Sequence, residues 1–448
     1  MVSNVRLNSA ALTRLPQLRK PYYHLGIVER SSVVVSRDVL FLLLFSDKGT
    51  SLLLRFISDL SLGILAFSLI LAPLAAAASN EPPLVIGIDA DMSGGSARSG
   101  LAIQRGAEIA ISEINTRGGV LGRPLELLTL DHRGNPERGA ENIKKFAKTK
   151  NLIGLLAGLH TPVALHELKL VHKHELIFLV PWAAGTQVVD NGFSPNFVFR
   201  VSVRDQYAGE FLVNRALKEG HKRLGLLLEN TGWGRSNEKA MRAALGRAGL
   251  VPAGVSWFHW GAHNMHRTLR DLIDQKIDAV ILVANAPEGT KGVHAMSSLP
   301  KPDRRPIISH WGIAGGSFFE TIHDVRSNID LRVLQTFSFI YPTFPERAKP
   351  VIEAYLARYT DAQTALDIFA PVGTAHAYDL VHLLAVAVEQ AQSTNSRAVR
   401  IALENLPPHR GLIRDYTPAF TSNNHDALTS DDFNISRFDV DGTIVPIR

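Results

Sequence analysis

Short, continuously apolar segments alternate with longer amphipathic segments along most of the chain, starting at residue 84. The first pair is LVIGIDA followed by LAIQRGAEIAISEIN, and the next is LELLTLD followed by PERGAENIKKFAK. A strand that is apolar on both faces must be covered on both faces, and helical connections allow neighbouring strands to run parallel. The alternation therefore predicts an α/β fold with doubly wound parallel sheets.

The alternation occurs twice, which predicts two lobes of similar size. It restarts after FVFRVSVRD with GEFLVNRALKEG and KRLGLLLE. The remaining section has helical segments and a strand-like tail but no third complete set, so we expect the chain to cross back and complete both lobes. The predicted N-terminal lobe comprises residues 80–203 and 313–411, and the C-terminal lobe comprises residues 204–312 and 412–448.

The segment SLGILAFSLILAPLAAAASN has the features of a secretory signal peptide. Arg55 precedes an uncharged apolar run that ends in the small residues that signal peptidase requires. We predict a signal peptide over residues 55–79, cleaved near Ala78. A transmembrane anchor is the alternative, because the run approaches the length that spans a bilayer. Residues 1–54 fit no secretory signal, and we expect a disordered extension or a mis-assigned translation start.

Composition excludes several kinds of protein. The chain has no cysteine, which excludes disulfides, thiolate nucleophiles, cysteine-ligated metals and the usual lipid-modified N-terminal cysteine. The formal net charge is +6, but residues 1–79 hold 8 Lys and Arg against 4 Asp and Glu, so the remainder is nearly balanced. With no basic run after residue 80, we expect no nucleic-acid partner.

Known catalytic signatures are also absent from the sequence. It contains neither G-x-G-x-x-G nor a Gly-Lys dipeptide, which argues against a nucleotide-dependent enzyme, and no G-x-S-x-G elbow for a serine hydrolase. The histidines near residue 166 do not have the spacing of a zinc protease motif. We therefore expect no enzymatic activity, no cofactor and no metal.

The loops expected at the carboxyl ends of the strands are the candidate ligand site, because ligands bind there in open parallel sheets. These loops are rich in Gly, Ala, Ser and Thr, and they hold three of the five tryptophans, Trp182, Trp233 and Trp311. Small residues with aromatic walls suit a small polar ligand. Ordinary packing at a strand end is the alternative for each tryptophan.

The first such loop, DMSGGSARSG, connects the first predicted strand to the first predicted helix. Glycines let a backbone approach a ligand, and the amides at a helix start can bind an anion. This stretch alone does not distinguish a phosphate-binding loop from one that lines another kind of site.

The opening IGIDADMSGGSARSGLAIQRGAEIAISEINTRGGVLGRPLELLTLD resembles the periplasmic leucine/isoleucine/valine-binding protein family. The likeness continues in LAGLHTPVALHEL, LVPWAAGT, GWGRSNEKAMRAAL, IDAVILVANAPEG and AYDLVHLLAVAVEQA, and spans roughly residues 84–440. Members are type I solute-binding receptors for ABC importers of amino acids and amides. The resemblance implies two hinged lobes, a small-molecule ligand between them, an inner-membrane ABC permease as partner, and a soluble periplasmic location.

The resemblance also implies roles for individual residues. In the first lobe, His160 and Thr161 match the loop that binds a substrate carboxylate, although Pro162 there has no N–H to donate. In the second lobe, Trp233 matches an aromatic ligand contact and Glu288 matches the partner of an ammonium. The full predicted ligand-binding set is Ser93, Ser96, His160, Thr161, Trp182, Ala183, Ala184, Thr186, Trp233, Glu288 and Trp311.

Each of these roles has an alternative. Asn285 and Glu288 have the spacing of a capping box, so the carboxylate could cap its own helix. The Thr161 hydroxyl could bond a nearby backbone group, and Ser93 and Ser96 could face solvent or cap a helix. For the whole protein, the alternative is a ligand sensor of the same fold that acts on a signalling partner.

Overall fold

A five-stranded parallel sheet forms the core of the first lobe in the computed structural model, which describes residues 81–447. The predicted extension and signal peptide, residues 1–79, lie outside the described residues. The elements are β1 (Leu84–Ala90), α1 (Ala97–Thr116), β2 (Leu125–Asp131), α2 (Pro136–Phe146), β3 (Leu152–Ala157), α3 (Thr161–Lys173), β4 (Phe178–Val180), α4 (Thr186–Val189) and β5 (Val198–Arg200). The strands follow the order β2-β1-β3-β4-β5.

The second lobe repeats the alternation. Its elements are α5 (Asp205–Lys218), β6 (Leu224–Glu229), α6 (Gly232–Arg247), β7 (Gly254–Phe258), α7 (His266–Ile273), β8 (Ala279–Val283), α8 (Ala286–Ser297), β9 (Ile307–Ser309), α9 (Phe318–Thr321) and β10 (Leu331–Gln335). These strands pair in parallel, and all five residues of β8 are buried. Two sheets with helical connections confirm the predicted α/β class.

The last section returns to both lobes. It comprises α10 (Pro345–Arg358), α11 (Pro371–Ala391), α12 (Ser396–Leu403), β11 (His409–Arg410), β12 (Asp415–Tyr416), β13 (Asn434–Phe438) and β14 (Ile444–Pro446). Helix α11 packs closely on α1, where a Cβ on Gly106 would lie 2.0 Å from the Thr374 carbonyl oxygen. Strands β13 and β14 extend the second sheet antiparallel, giving the order β14-β13-β10-β9-β8-β6-β7.

The lobe boundaries differ from the predicted ones in two places. Strand β10 lies within the range assigned to the first lobe, but it pairs with β9 and continues the second sheet. Residues 412–428 were assigned to the second lobe, yet Leu412 donates its amide to Asp379 of α11, and Asp426 contacts Arg200 of β5. The chain therefore crosses later than predicted in both directions, because these short segments lack a periodicity that assigns them to either sheet.

No helix within residues 81–447 combines the length and the apolar character needed to cross a bilayer.

A buried ion pair joins the first lobe to the last section of the chain. The guanidinium of Arg200 is fully buried and donates to the Asp426 carboxylate and to the carbonyl of Gly185 at 2.8 Å. Arg204 donates to the other oxygen of Asp426 at 3.0 Å. The pair thus holds the loop after β4 against the segment that precedes the last crossing between the lobes.

Replacing Asp426 with Ala should destabilise the protein by about 3–5 kcal/mol, because it leaves the Arg200 charge buried without its partner. The measurement is urea-induced unfolding followed by circular dichroism. Arg397→Ala, which removes an exposed pair with Glu175, is the control and should unfold near the wild-type midpoint. Equal midpoints for Asp426→Ala and the wild type would contradict the structural role of this pair.

Two buried carboxyl groups lie close together in the first lobe, Asp89 of β1 and Glu167 of α3. Asp89 accepts a hydrogen bond from the Asn142 amide at 2.9 Å, and Glu167 is its other neighbour. Burial raises the pKa of Asp89 to about 7, although hydrogen bonds from Glu167 and Asn142 oppose the rise. Burial and the charge of Asp89 raise the pKa of Glu167 well above its usual range. Glu167 is therefore the member of the pair that keeps its proton to the higher pH, and it donates to Asp89.

The contribution of this pair to the stability of the protein should fall as the pH rises from about 4 to 7. The folded state keeps protons on Asp89 and Glu167 over this range while the unfolded chain releases them, so these two groups lower the unfolding free energy as the pH rises. Buried histidines with lowered pKa values, such as His132 and His160, act in the opposite direction, so the pair is measured by comparison with a variant. Glu167→Gln keeps a donor to Asp89 and removes one titrating group, so its stability relative to the wild type should increase with pH. Urea midpoints of both proteins at several pH values measure this difference, and a difference that does not change with pH would be the contrary result.

Candidate functional site

The loops at the carboxyl ends of the two sheets face each other and form what we call the interlobe cleft. On the first lobe it consists of the loops after β1, β3 and β4, and on the second lobe of the loops after β6, β7, β8 and β9. Ring contacts cross it from His160 to Trp260, with centroids 5.3 Å apart, and from Trp182 to Trp311 at 5.8 Å. The lobes are thus in contact, as in a closed form of a two-lobed protein.

Two further polar contacts join the lobes. The amide of Thr186 donates to the Ser236 hydroxyl at 3.1 Å, deep in the cleft. At the surface, Arg98 of α1 pairs with Glu320 of α9 at 2.6 Å. An exposed pair of this kind adds little free energy and is screened by salt. The buried contacts therefore contribute most of the free energy that holds the two lobes together.

The glycine-rich loop after β1 is folded around carboxylates of the chain itself. Asp91 accepts the amides of Gly94 at 2.6 Å and Ser96 at 3.0 Å, while Asp131 accepts the amide of Met92 and the hydroxyl of Ser93. A phosphate needs hydrogen-bond donors, but these amides and this hydroxyl already donate to carboxylates, whose negative charge repels an anion. The loop therefore lines the cleft without forming an anion site.

Hydrogen bonds stabilise the charged form of the Asp131 carboxylate. Burial alone raises its pKa, but hydrogen bonds from Ser93, Met92 and Arg133 outweigh this effect and lower it to about 2. Ser93 is exposed and uses its hydroxyl for this bond, and Ser96 is buried at the start of α1. Both predicted serines thus hold the loop in shape.

His160 is the first-lobe residue most directly placed in the cleft. It precedes α3, is buried, and has Trp260 on one side and His132 on the other, with the His132 centroid 5.7 Å away. Burial lowers its pKa to about 4, although the charge of Asp91 opposes the change. The ring is therefore neutral at physiological pH, and its Nδ1 has no hydrogen-bond partner among residues 81–447.

Two other predicted residues of the first lobe, Thr161 and Thr186, accept backbone amides with their hydroxyl groups. The hydroxyl of Thr161 accepts the amide of Gly185 at 3.2 Å, and the Thr186 hydroxyl accepts the amide of Gln206 at 3.1 Å. Each hydroxyl keeps its own proton to donate to a ligand. Ala183 and Ala184 are buried between them, in the loop held by Arg200.

The predicted tryptophans are buried in the cleft. Trp182 and Trp311 are buried against each other, and Trp233 donates its indole N–H to Asp205 at 3.2 Å. The indole N–H of Trp182 is buried and lacks a partner within the described part of the chain. Trp182 therefore has a buried donor that the described part of the chain leaves unused.

Glu288 lies in the second lobe, at the first turn of α8. Its carboxylate accepts the amide of Gly261 at 3.0 Å, in the loop after β7. The Asn285 side chain at the start of α8 makes no capping bond to the helix. The contact of Glu288 is therefore with a neighbouring cleft loop, unlike the contact that a capping box would make.

The sequence prediction missed two cleft residues, Glu229 and Trp260. Glu229 ends β6 and is fully buried, and its Oε1 accepts the Thr231 hydroxyl at 2.7 Å. Burial raises its pKa to about 7, the charge of Glu288 adds to the rise, and Thr231 and the Trp260 indole oppose it. A carboxyl group directly after an apolar strand was the available signal for Glu229. Trp260 follows β7 by two residues and had no comparable motif.

A separate cavity of about 540 Å³ lies beside the cleft, between Arg98 of α1 and the aromatic side chains of Phe318, Phe369 and Phe438. None of the predicted ligand residues lines it. No group of three or more His, Asp or Glu side chains in residues 81–447 has the arrangement of a metal site.

Comparison with known proteins places this architecture among substrate-binding proteins. A family model described as periplasmic binding protein matches residues 83–442. A Leu/Ile/Val-binding protein of Rhizobium johnstonii is 24% identical over 356 residues, which cover 76% of this chain and 87% of the relative.

Two solved structures have the same fold. A periplasmic binding protein type 1 from Bordetella pertussis aligns with a TM-score of 0.74 at 20% identity, over 82% of this chain and 100% of that chain. The branched-chain amino acid transporter substrate binding protein of Streptococcus pneumoniae, in complex with isoleucine, aligns with a TM-score of 0.68 at 18% identity, over 81% and 97%. The fold is therefore the predicted type I periplasmic-binding-protein fold, and the chain belongs to the periplasmic binding protein family, with Leu/Ile/Val-binding proteins among its relatives.

Proposed function

We propose that this protein is the extracytoplasmic receptor of an ABC importer and binds a small amino acid, amide or related polar metabolite in the interlobe cleft. The signal peptide would export it to the periplasm without a lipid anchor, and the closed form would deliver the ligand to an inner-membrane permease. No bond is made or broken in this activity.

One observation carries the proposal: buried polar atoms without partners point to a ligand in the cleft. His160 Nδ1 and Trp182 Nε1 are both buried on the first lobe and lack partners among the described residues. Leaving such groups unsatisfied costs free energy, so most buried polar atoms in proteins bond another group or an ordered water. A polar ligand between the lobes would supply these partners.

The arrangement suits a ligand that links the lobes. A zwitterion leaving water needs donors for its carboxylate and an anion for its ammonium. The hydroxyls of Thr161 and Thr186 lie on the first lobe, and the carboxylate of Glu288 lies on the second. Such a ligand binds the closed form better than the open form, and this differential affinity drives closure.

The relatives support this class of ligand. The Rhizobium johnstonii relative is named a Leu/Ile/Val-binding protein, and the Streptococcus pneumoniae structure contains isoleucine. The proposal is tested by a thermal-shift screen of residues 80–448 against amino acids, amides, urea, short-chain acids and aromatic acids. A ligand at 100 times its Kd should add about 2.7 kcal/mol to the unfolding free energy. Absence of any hit would contradict the receptor function.

Glu288→Gln should weaken the binding of an amine-bearing ligand about tenfold or more, because it removes the charge that pairs with the ammonium. The melting temperature of the ligand-free variant should stay close to that of the wild type. Isothermal titration calorimetry measures the affinity. Glu353→Gln, at an exposed position of α10, is the control. Full affinity in Glu288→Gln would remove this residue from the site.

Gly315→Val should hold the lobes apart. A Cβ at this second-lobe position would lie 2.5 Å from Leu159, 3.4 Å from Ser99 and 3.4 Å from Trp182, all of which belong to the first lobe. The variant should therefore bind ligand more weakly and show a larger radius of gyration by small-angle X-ray scattering. Gly246→Val, where an added Cβ meets no atom within 4 Å, is the control. Ligand-induced compaction in Gly315→Val equal to that of the wild type would contradict closure at this contact.

A further inference from the structure

The cavity of about 540 Å³ beside the cleft, which we call the side cavity, has walls from both lobes. The first lobe contributes the start of α1 and the connection between α10 and α11. The second lobe contributes the loop after β9, helix α9 and the β13–β14 hairpin. Gly315, next to the lining residue Ala314, packs against Leu159 of the first lobe, so the lobes touch between this cavity and the cleft. The side cavity is therefore a second space between the lobes, with a volume in the range of about 300–1,000 Å³ typical of ligand pockets.

Aromatic side chains of both lobes line the side cavity. Phe318 and Phe438 of the second lobe have ring centroids 5.6 Å apart, and Phe369 belongs to the wall that the first lobe contributes. Leu366 is part of the same first-lobe wall and is 48% exposed, although its side chain is apolar. A molecule bound here would remove aromatic and aliphatic surface from water, which is favourable. The walls therefore suit a ligand with an aromatic or other apolar part.

The charged side chains of the side cavity are mostly acidic, because four carboxylates and one guanidinium line it. Glu320 of the second lobe pairs with Arg98 of the first lobe at 2.6 Å. Asp361 pairs with Arg105 of α1 at 2.8 Å. These two ion pairs satisfy two of the carboxylates, so the other two determine the charge that a ligand would meet.

The other two carboxylates, Asp367 and Asp441, belong to opposite lobes. Asp367 accepts the backbone amide of Gln363 at 2.9 Å, and this bond contributes most to lowering its pKa. Hydrogen bonds from Thr443, with a smaller contribution from the charge of Arg326, lower the pKa of Asp441. Both groups are therefore charged near pH 7, and no ion pair within residues 81–447 neutralises them.

We propose that the side cavity is a second ligand site, and that it binds an amphipathic cation. The apolar part of such a molecule lies among the phenylalanines, and its positive charge is attracted by Asp367 and Asp441. This attraction is stronger beside an apolar wall than in bulk water, and a cation is also attracted by the faces of aromatic rings. An acid of the same shape is repelled by the same carboxylates, and a neutral analogue gains only the apolar contacts.

Binding at this site should favour closure, because the site is complete only when the lobes are in contact. The like charges of Asp367 and Asp441 repel each other, whereas a cation in the cavity attracts both. A ligand that uses both walls binds the closed form better than the open form. By reciprocity, it raises the affinity of the cleft for the cleft ligand by the same factor as the cleft ligand raises the affinity of the side cavity. A second compound could thus regulate the receptor without entering the cleft.

Phenethylamine is the test compound, and phenethyl alcohol and phenylacetate are its neutral and anionic counterparts. Each is titrated at pH 7 by calorimetry into the wild type, Ile444→Trp and Asp441→Asn. Ile444 of β14 lines the cavity, so a larger side chain there should fill it. Asp441→Asn keeps an acceptor for the Thr443 amide and removes the charge. Ile401→Trp, at an exposed position of α12, is the matched control for the added ring.

Phenethylamine should bind the wild type and Ile401→Trp equally, phenethyl alcohol should bind more weakly, and phenylacetate should not bind. Ile444→Trp should abolish binding of the amine. Asp441→Asn should weaken it about two- to fivefold, which is the effect of a partly exposed ion pair. Glu288→Gln should bind the amine as the wild type does, because Glu288 does not line the side cavity. Melting temperatures without ligand establish that each variant is folded.

Closure is measured by small-angle X-ray scattering, which requires no cleft ligand. Phenethylamine should lower the radius of gyration of the wild type and leave that of Ile444→Trp unchanged. With a cleft ligand from the thermal-shift screen, the amine should also raise the affinity of the cleft, and the two ligands should affect each other by the same factor. An unchanged radius of gyration at saturating amine would overturn the coupling to closure.

Three results would overturn the second site: no binding of the amine to the wild type, equal binding of the amine and phenylacetate, or unchanged binding of the amine in Ile444→Trp. If Glu288→Gln loses the binding that Ile444→Trp keeps, the amine binds in the cleft and the side cavity has no part in it. None of these results contradicts the receptor function, which is tested separately by the screen for cleft ligands.

Discussion

Burial of both faces of each parallel sheet is the constraint on which the rest of this structure depends. Strands such as β8, with every residue buried, require helices on both sides, and those helices fix where the chain can turn. All loops that leave the carboxyl ends of the strands then lie along one edge of each sheet. Because the two lobes face each other through these edges, side chains far apart in sequence, such as His160 and Trp260, come into contact.

The parts of the fold that follow from this constraint could be predicted from sequence, and the rest depended on contacts that leave no local pattern. The apolar runs identified the strands from β1 to β9 and the restart after β5. They did not place β10, whose five residues gain their position by pairing with β9 and β13. Residues 412–428 have no regular period and are held to the first lobe by the carboxylate of Asp379 and by the Arg200–Asp426 pair.

The candidate site shows the same division. Sequence placed His160, Trp182 and Glu288 in cleft loops, because their positions follow from strand ends and from the family resemblance. It did not identify the donors and acceptors that the protein uses internally, such as the Ser93 hydroxyl on Asp131 or the Trp233 indole on Asp205. These contacts span 38 and 28 residues of the chain, and only the folded structure brings them together.

Internal hydrogen bonding decides what the cleft can hold. The loop after β1 has the glycines of an anion-binding loop, but Asp91 and Asp131 already accept from its amides and hydroxyl. Across the cleft, Gly261 donates its amide to Glu288, and Glu229 accepts from the Thr231 hydroxyl and the Trp260 indole. The unused capacity therefore lies on the first lobe, where the Trp182 indole N–H has no partner within the described structure. A ligand that accepts from this donor and donates to the Glu288 carboxylate has both kinds of group, and such a ligand stabilises the two lobes in contact.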